Sequence, residues 1–239
     1  MKKIGFIGTF DKTDLLLYVA KMLQLLGHKV LVVDATLLQK TKYIVPSINP
    51  TKSYVTDFEN IDFAIGFEGW DDIEKYLGIK FDTNEKKAEE ETKEEETYDY
   101  VLLDIDSSKK VEKFGIEKVD KNYFVTSFDM YSLNKGMTIF EELKDTLKLT
   151  KVLFSYESAT KEEEEYLNSV SVEYKIEWGE STIYFQIFNE DIKIMQENQR
   201  LQKLRFRRLS PNYKDSLAYL IQDIDKSENF GKIKKAMKD

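Results

Sequence analysis

The feature that most constrains the fold is an apolar segment near the start of the chain, residues 13–26, TDLLLYVAKMLQLL. It is apolar on nearly every face, and two short apolar runs, residues 4–7 and 30–33, flank it. A helix of this kind is buried between other elements, and short continuous apolar runs are typical of strands covered on both faces. Gly27 follows as a helix stop. The sequence therefore predicts a strand–helix–strand unit with a buried helix and a central first strand.

The same alternation continues along the chain. Further apolar runs fall at residues 63–65, 100–103, 123–125 and 152–154, and helices are predicted at residues 71–77, 137–147, 161–168, 191–208 and 213–224. A hairpin turning at Gly179 is predicted near the end, at an edge of the sheet. Alternating strands and helices imply right-handed crossovers. The predicted fold class is α/β, a mainly parallel sheet with helices on both faces, in a single domain of residues 1–239.

Composition excludes several kinds of site. Apolar residues make up 41% of the chain, which indicates a globular protein, and there is no cysteine. Disulfides, iron–sulfur clusters and thiolate zinc sites are therefore excluded. The single histidine, His28, excludes a histidine-built metal centre. No leading segment resembles a signal peptide, and the apolar runs are shorter than the ~18 residues that cross a bilayer. We expect a cytoplasmic protein.

One segment is too polar to belong to the core. Residues 82–97 contain the run EKKAEEETKEEE, which has almost no apolar side chain. Such a segment buries too little apolar surface to offset the entropy of ordering. We expect a mobile acidic loop, with a short solvated helix as the alternative.

The turn after the first strand has part of the chemistry of a phosphate-binding loop. Such loops follow G-x-x-x-x-G-K-[ST], in which backbone N–H groups and a lysine hold phosphate and the hydroxyl ligates magnesium. Lys12 and Thr13 stand at the start of the predicted helix, but Phe6 and Asp11 occupy the two glycine positions. Like charges about 4 Å apart repel by ~4 kcal/mol at an effective dielectric near 20, so Asp11 opposes phosphate. The simpler interpretation is that Lys12 and Thr13 only open a helix, with Thr13 as its N-cap.

The order of these landmarks resembles that of the ParA/MinD family of deviant P-loop ATPases. GHKVLVVDA is similar to the family's second strand, which ends in a magnesium-side Asp, here Asp34, and YDYVLLDID is similar to its Walker B strand, ending at Asp104. NYFVTSFDMYSLNKGMTIFEEL resembles the strand, loop and helix that follow. The resemblance covers about two-thirds of the chain and implies a P-loop NTPase topology. It also implies that any nucleotide would be held by Gly8, Lys12, Thr13, Asp34 and Asp104.

Three departures from the family pattern bear on function. The family motif K-G-G-x-G-K-T-T corresponds to residues 7–14, so Ile7 replaces the lysine that reaches the partner's nucleotide, and Asp11 replaces the last glycine. Thr36 replaces the Asp that helps to position the attacking water. Phosphoryl transfer depends on positioned charge, so their joint loss indicates a pseudo-ATPase, with no cofactor expected. Because Ile7 cannot reach a phosphate, any homodimer is expected to form without nucleotide.

The leading hypothesis is a noncatalytic scaffold, resembling divergent family members such as TadZ and CpaE, that positions or assembles a protein partner of unknown identity. The first alternative is a slow ATP-dependent switch that binds ATP and magnesium through the five residues named above.

A basic run, RLQKLRFRR, supports a further alternative, a DNA-binding partition or mobile-element protein. Its cations are Arg200, Lys203, Arg205, Arg207 and Arg208. They could be the solvated face of a helix, or they could bind an acidic partner such as the DNA backbone. The lysine-rich tail is short and weakly apolar, and one such helix gives only marginal membrane binding. We therefore expect no membrane partner.

Overall fold

The computed structural model describes residues 1–47, 52–81, 98–156 and 161–238. The strands of this part of the chain are β1 Lys2–Ile7, β2 Val30–Asp34, β3 Tyr54–Phe58, β4 Ile61–Ile65, β5 Tyr100–Ile105, β6 Lys121–Ser127, β7 Leu147–Ser155 and β8 Ile176–Gln186. Its α-helices are α1 Thr13–Leu25, α2 Thr41–Ile44, α3 Trp70–Leu77, α4 Ser108–Lys113, α5 Met130–Met137, α6 Lys161–Ser171, α7 Asn189–Leu201, α8 Pro211–Ile224 and α9 Phe230–Ala236. The acidic segment 82–97 lies outside the described residues.

The strands form one sheet in the order β3-β4-β2-β5-β1-β6-β7-β8. Neighbouring strands are parallel except for β3 and β4, which are antiparallel. β1 lies between β5 and β6, at the centre, as the sequence predicted. A mainly parallel sheet with helices is thereby confirmed.

Two apolar cores cover the two faces of this sheet. One contains α1, α8 and α9, and the other contains apolar side chains of α3, α4, α5 and α6. Residues 15–23 of α1 are all buried, which confirms the predicted burial of this helix. Full burial of a Leu or Ile side chain stabilises a fold by roughly 1.5–3 kcal/mol, so α1 fixes the position of the loop that precedes it.

The helix predicted at residues 137–147 is wrong. α5 ends at Met137, a 3-10 turn follows over Thr138–Phe140, and β7 already begins at Leu147. Phe140 and Leu143 of the predicted helix are buried. However, in β7 the side chains of Leu147 and Leu149 are buried while Lys148 is exposed. Burial of every second residue is typical of a strand. The helical pattern of the preceding residues therefore does not continue to residue 147.

The hairpin predicted at Gly179 is also wrong, although the edge position is right. β8 is one continuous strand, parallel to β7, at the edge of the sheet. Between the pairs Leu149–Trp178 and Lys151–Thr182, β7 advances from 149 to 151 while β8 advances from 178 to 182. Gly179 therefore lies in a bulge, where a glycine allows the backbones to approach closely.

The helix predicted at residues 191–208 ends early. α7 stops at Leu201, and Gln202 adopts a left-handed conformation with φ of 50°. After that point Leu204 and Phe206 are buried, while Lys203, Arg205 and Arg207 are exposed. An alternation of this kind marks an extended segment rather than a helix. The basic run is therefore not one helical face.

Candidate functional site

The sequence-predicted site residues meet at the carboxyl edge of the sheet, where open α/β folds bind ligands. β5 lies between β2 and β1, and the register pairs Asp34 directly with Asp104. The loop between β1 and α1 lies at the same edge. The structure thus brings five predicted residues together, namely Gly8, Lys12, Thr13, Asp34 and Asp104.

Gly8 fixes the path of this loop. Its φ is 144°, a conformation that side chains other than glycine rarely adopt, and an added Cβ would lie 2.1 Å from the carbonyl oxygen of Val125. Its N–H donates to the carbonyl oxygen of Ile105 at 3.0 Å. The loop is therefore pressed against the ends of two neighbouring strands, and only glycine fits at this position.

Lys12 points into the protein. Its residue is 3% exposed, its Nζ donates to the carbonyl oxygen of Gly8 at 2.7 Å, and it lies 2.7 Å from Oδ1 of Asp104. A buried ammonium needs an opposite charge nearby. Asp104 supplies this charge, so the one cation of the loop is neutralised inside the site.

Asp104 is fully buried, and burial raises its pKa to about 7, with Lys12 lowering it and Asp34 raising it. Lys12 Nζ is the one polar partner of Asp104 Oδ1 among the described residues. Oδ1 of Asp106 is buried and has no hydrogen-bond partner among them, while its Oδ2 accepts from the N–H of Leu37 at 2.9 Å. Burial also raises the pKa of Asp106. In the described part of the chain, this edge thus carries one buried carboxylate oxygen without a donor, Oδ1 of Asp106.

Asp11 acts as an anion at the N-terminus of α1. Its Oδ1 accepts the N–H of Thr13 at 3.2 Å, and its Oδ2 pairs with Nζ of Lys40. Burial raises the pKa of Asp11, but the hydrogen bonds and charge of Lys40 and the Thr13 amide outweigh it and hold the pKa below its usual value. The helix starts at Thr13, with Lys12 at the N-cap position and no side-chain cap from it. Asp11, rather than Thr13, satisfies the free end of the helix.

Asp34 is held by the loop that follows it. Its Oδ1 accepts from the N–H and the hydroxyl of Thr36, at 3.1 and 2.6 Å, and its Oδ2 accepts the N–H of Thr41 at 3.1 Å. Both carboxylate oxygens are therefore occupied by protein donors. Thr36 orients Asp34 and the loop, which is a structural role.

Aromatic and aliphatic side chains close the base of the loop. The Phe10 ring stacks on Phe154, with centroids 4.8 Å apart, and Phe6 stacks on Tyr123. Ile7 is fully buried in the core on the opposite face. Ile7 therefore belongs to the interior of the domain.

An exposed apolar rim surrounds the site. It consists of Leu37 and Leu38 after β2, Met130 and Tyr131 after β6, and Tyr156 after β7, each more than half exposed. Leu37 and Leu38 are 76% and 83% exposed, although hydrogen bonds to Asp34 and Asp106 fix their loop. Leu37 and Leu38 are thus large apolar side chains that a hydrogen-bonded loop holds in solvent.

Sequence reasoning missed Lys40, Asp106 and the rim. DID contains Asp106, but the pairing of Lys40 with Asp11 depends on the return of the chain after β2, for which no local pattern exists. Among the described residues no group of three or more acidic, histidine or cysteine side chains is arranged to hold a metal. None of the helices in the described residues is long and apolar enough to span a bilayer.

The basic run does not belong to the site at the carboxyl edge of the sheet. It lies along the end of α7 and the segment after it. Gln199 Nε2 donates to Asp14 Oδ1 at 2.7 Å, so the last turn of α7 packs against the first turn of α1. A cavity of about 640 Å³ opens beside this contact, with Arg205, Arg207 and Arg208 in its lining.

Solved structures resemble this arrangement over nearly the whole chain. The MinC:MinD cell division complex from Aquifex aeolicus matches with a TM-score of 0.55 and 13% identity, covering 96% of this chain and 97% of that one. The pNOB8 ParA bound to nonspecific DNA matches with 0.53 and 13%, covering 95% and 99%. A plasmid partition protein from Borrelia burgdorferi B31 bound to AMPPNP matches with 0.51 and 11%, covering 98% and 97%. The chain has a ParA/MinD-like P-loop NTPase fold.

No family model and no curated protein matches the sequence. Identities of 11–13% to the solved structures therefore show the fold and nothing finer. The activity of this chain therefore depends on the side chains of its site.

Proposed function

We propose that this protein is a noncatalytic positioning or assembly factor of the ParA/MinD type, a pseudo-ATPase related in role to TadZ and CpaE. The observation that carries the proposal is the contact between Lys12 and Asp104, at 2.7 Å and with both side chains buried. A lysine that serves phosphate must be free to reach it. Here its charge is already balanced by a carboxylate of the same site.

The position of the Asp11 carboxylate supports the same conclusion. Its carboxylate takes the N–H of Thr13 at the N-terminus of α1, which is the kind of position that a helix offers to phosphate. Lys40 neutralises it in turn. The charges of Lys12 and Asp11 are thus each paired within the protein, with Asp104 and Lys40 respectively. A triphosphate would have to break these pairs. The residues present are a poor fit for a nucleotide and magnesium.

Two groups that the family uses for hydrolysis are replaced in this sequence. Ile7 is in the core and cannot serve a partner's nucleotide, and Thr36 stands in place of a water-positioning carboxylate and binds Asp34. Phosphoryl transfer is almost entirely positioning and electrostatic stabilisation. Without these groups we expect no turnover.

The apolar rim fits a permanent homodimer through this edge. Its five side chains expose on the order of 600–800 Å² per protomer, if each large side chain has roughly 200 Å² of surface, and a stable interface buries ~800 Å² on each partner. A nucleotide-independent pair would give a partner complex one fixed geometry. This is what a scaffold requires.

The second candidate is a slow ATP-dependent switch. One oxygen favours it, Oδ1 of Asp106, which is buried and has no hydrogen-bond donor among the described residues. Such an oxygen can accept from a magnesium-bound water. In this alternative Lys12 would leave Asp104 when nucleotide and magnesium arrive.

A nucleotide titration followed by thermal unfolding, with and without magnesium, separates the two. The pseudo-ATPase predicts no increase in melting temperature with ATP. A ligand at 100 times its dissociation constant stabilises by ~2.7 kcal/mol, so binding would be readily visible. A magnesium-dependent increase that Lys12→Ala abolishes would favour the switch.

A further inference from the structure

The basic cavity, defined by Ile194, Leu201, Arg205, Arg207 and Arg208, is a concave surface lined by three arginines. It encloses about 640 Å³ between α7 and the segment that follows it. One wall is the helix, and the other is the segment 203–208, which is extended over residues 203–206 and turns at residues 207–208. Glu197 and Asn198 complete the lining.

The extended wall is rigid. Leu204 and Phe206 are buried, and the Phe206 ring packs against Tyr18 of α1 at 5.4 Å between centroids. Asn198 Nδ2 donates to the hydroxyl of Tyr18 at 2.7 Å and to the carbonyl oxygen of Arg205 at 2.9 Å. The backbone that carries the arginines is thus held to both helices. A preorganised surface loses little entropy when it binds a partner.

The charge of this wall is unbalanced. Arg208 Nη1 pairs with Glu197 Oε2 at 2.6 Å, and Glu197 is the one carboxylate in the lining. Arg205 and Arg207 are exposed and have no ion pair among the residues that the structure describes. Both arginines line the same cavity, so two guanidinium groups without an ion pair lie on one surface of a chain whose net charge is −8.

The base of the cavity is apolar. Leu201 is 52% exposed, and the buried side chain of Ile194 lies behind it. Phosphates of a nucleic-acid backbone could pair with the arginines, but they would leave Leu201 in water. A peptide that combines carboxylates with an apolar side chain satisfies both parts of the surface.

We propose that the basic cavity is a docking site for an acidic, amphipathic peptide segment of a partner protein. An apolar side chain of the segment covers Leu201, and flanking Asp or Glu carboxylates pair with Arg205 and Arg207. This inference rests on the proposed function, because a positioning factor requires a partner, and it names the chemistry by which that partner is recognised.

The test uses a fluorescein-labelled synthetic peptide of about ten residues in which Glu alternates with Leu, with fluorescence anisotropy as the readout. Two competitors are measured beside it, the same peptide with every Leu replaced by Ser and a random-sequence DNA duplex. We expect the Glu/Leu peptide to bind more tightly than either competitor at physiological salt. Combined substitution of Arg205→Glu and Arg207→Glu should weaken it by at least about tenfold.

The matched control is Lys226→Glu with Lys235→Glu, which makes the same change in net charge at exposed lysines outside the cavity. It should leave the affinity within about twofold. Leu201→Ser should weaken the Glu/Leu peptide by about fivefold or more and leave the Glu/Ser peptide unchanged. Circular dichroism checks that each variant is folded.

Two results would overturn the inference. One is tighter binding of the DNA duplex that is lost in the arginine variant and unaffected by Leu201→Ser, which assigns the surface to nucleic acid. The other is equal affinity of wild type and both charge variants for the peptide. Either result leaves the absence of nucleotide binding unaffected, so the inference can fail while the proposed function stands.

Discussion

Lys12 and Asp104 form a buried ion pair, with Nζ 2.7 Å from Oδ1 and side chains that are 2% and 4% exposed. They come from different elements, the loop before α1 and the end of β5. In a phosphate-binding loop the lysine would contact the phosphate, and the carboxylate would stand behind the metal. Here Lys12 and Asp104 contact each other instead. The charges of Lys12 and Asp104 are therefore matched within the site.

Asp11→Gly should raise the affinity for MgATP by at least about tenfold. The substitution removes the carboxylate that occupies the start of α1, and it frees both Lys40 and the N–H of Thr13 to contact phosphate. Isothermal titration measures the affinity. The gain should disappear when Lys12→Ala is added. An unchanged affinity in Asp11→Gly alone would show that another group, such as Phe10, closes the phosphate position.

The raised pKa of Asp104 predicts a specific pH dependence. Folded Asp104 binds its proton more tightly than unfolded Asp104, so its contribution to stability is fully present below the unfolded pKa of 3.8 and is lost as the pH rises through about 7. Between these values the free energy of unfolding should fall by about 4 kcal/mol on account of this group, since each pKa unit corresponds to about 1.4 kcal/mol.

Urea unfolding at several pH values checks this dependence. Asp104→Asn should flatten it, even though the variant is less stable overall because Lys12 loses its charged partner. The exposed Asp71→Asn should keep the wild-type slope. An identical slope in wild type and Asp104→Asn would contradict the assignment.

Gly8→Ala should be more destabilising than Gly27→Ala. Both glycines have positive φ, 144° and 99°, but a Cβ at Gly8 would meet the carbonyl oxygen of Val125 at 2.1 Å, whereas nothing lies within 4 Å of one at Gly27. We expect a difference of at least about 2 kcal/mol in the free energy of unfolding, measured by urea denaturation. Equal losses would mean that the loop is free to move away from β6.

The apolar rim predicts a dimer without nucleotide. Light scattering on nucleotide-free protein at about 50 µM should give twice the mass of the chain, since the rim offers close to the ~800 Å² per partner of a stable interface. Leu37→Ser with Leu38→Ser should give a monomer. Val172→Ser, at an equally exposed position on a different surface, should not. A wild-type monomer that becomes dimeric only with ATP and magnesium would support the switch instead.

The central part of the fold could be predicted from the sequence because burial there leaves a local signal. α1 is apolar on all sides, and β1, β2 and β5 are short continuous apolar runs, so their burial at the centre followed from composition alone. The placement of Asp34 beside Asp104 followed too, because both residues stand at strand ends on the same edge of the sheet. Helix ends were less predictable, since the left-handed turn at Gln202 ends α7 within a sequence that still has helical spacing.

The two ion pairs of the site could not be predicted in the same way. The sequence identified Asp11 as an obstacle to phosphate, but it did not indicate that Lys40 would neutralise it from 29 positions away along the chain. The contact between Lys12 and Asp104 likewise depends on how closely β1 and β5 pack. Long-range pairings of this kind arise from tertiary structure and have no local pattern.

The most direct test of the account is phosphate release by the wild-type protein under saturating ATP and magnesium, compared with Lys12→Ala. We predict that the two rates are equal and do not exceed the background without protein, because Lys12 pairs with Asp104 and Thr36 stands where the family pattern has a water-positioning carboxylate. A wild-type rate near the ordinary enzymatic range of ~1 s⁻¹ that Lys12→Ala abolishes would contradict the account.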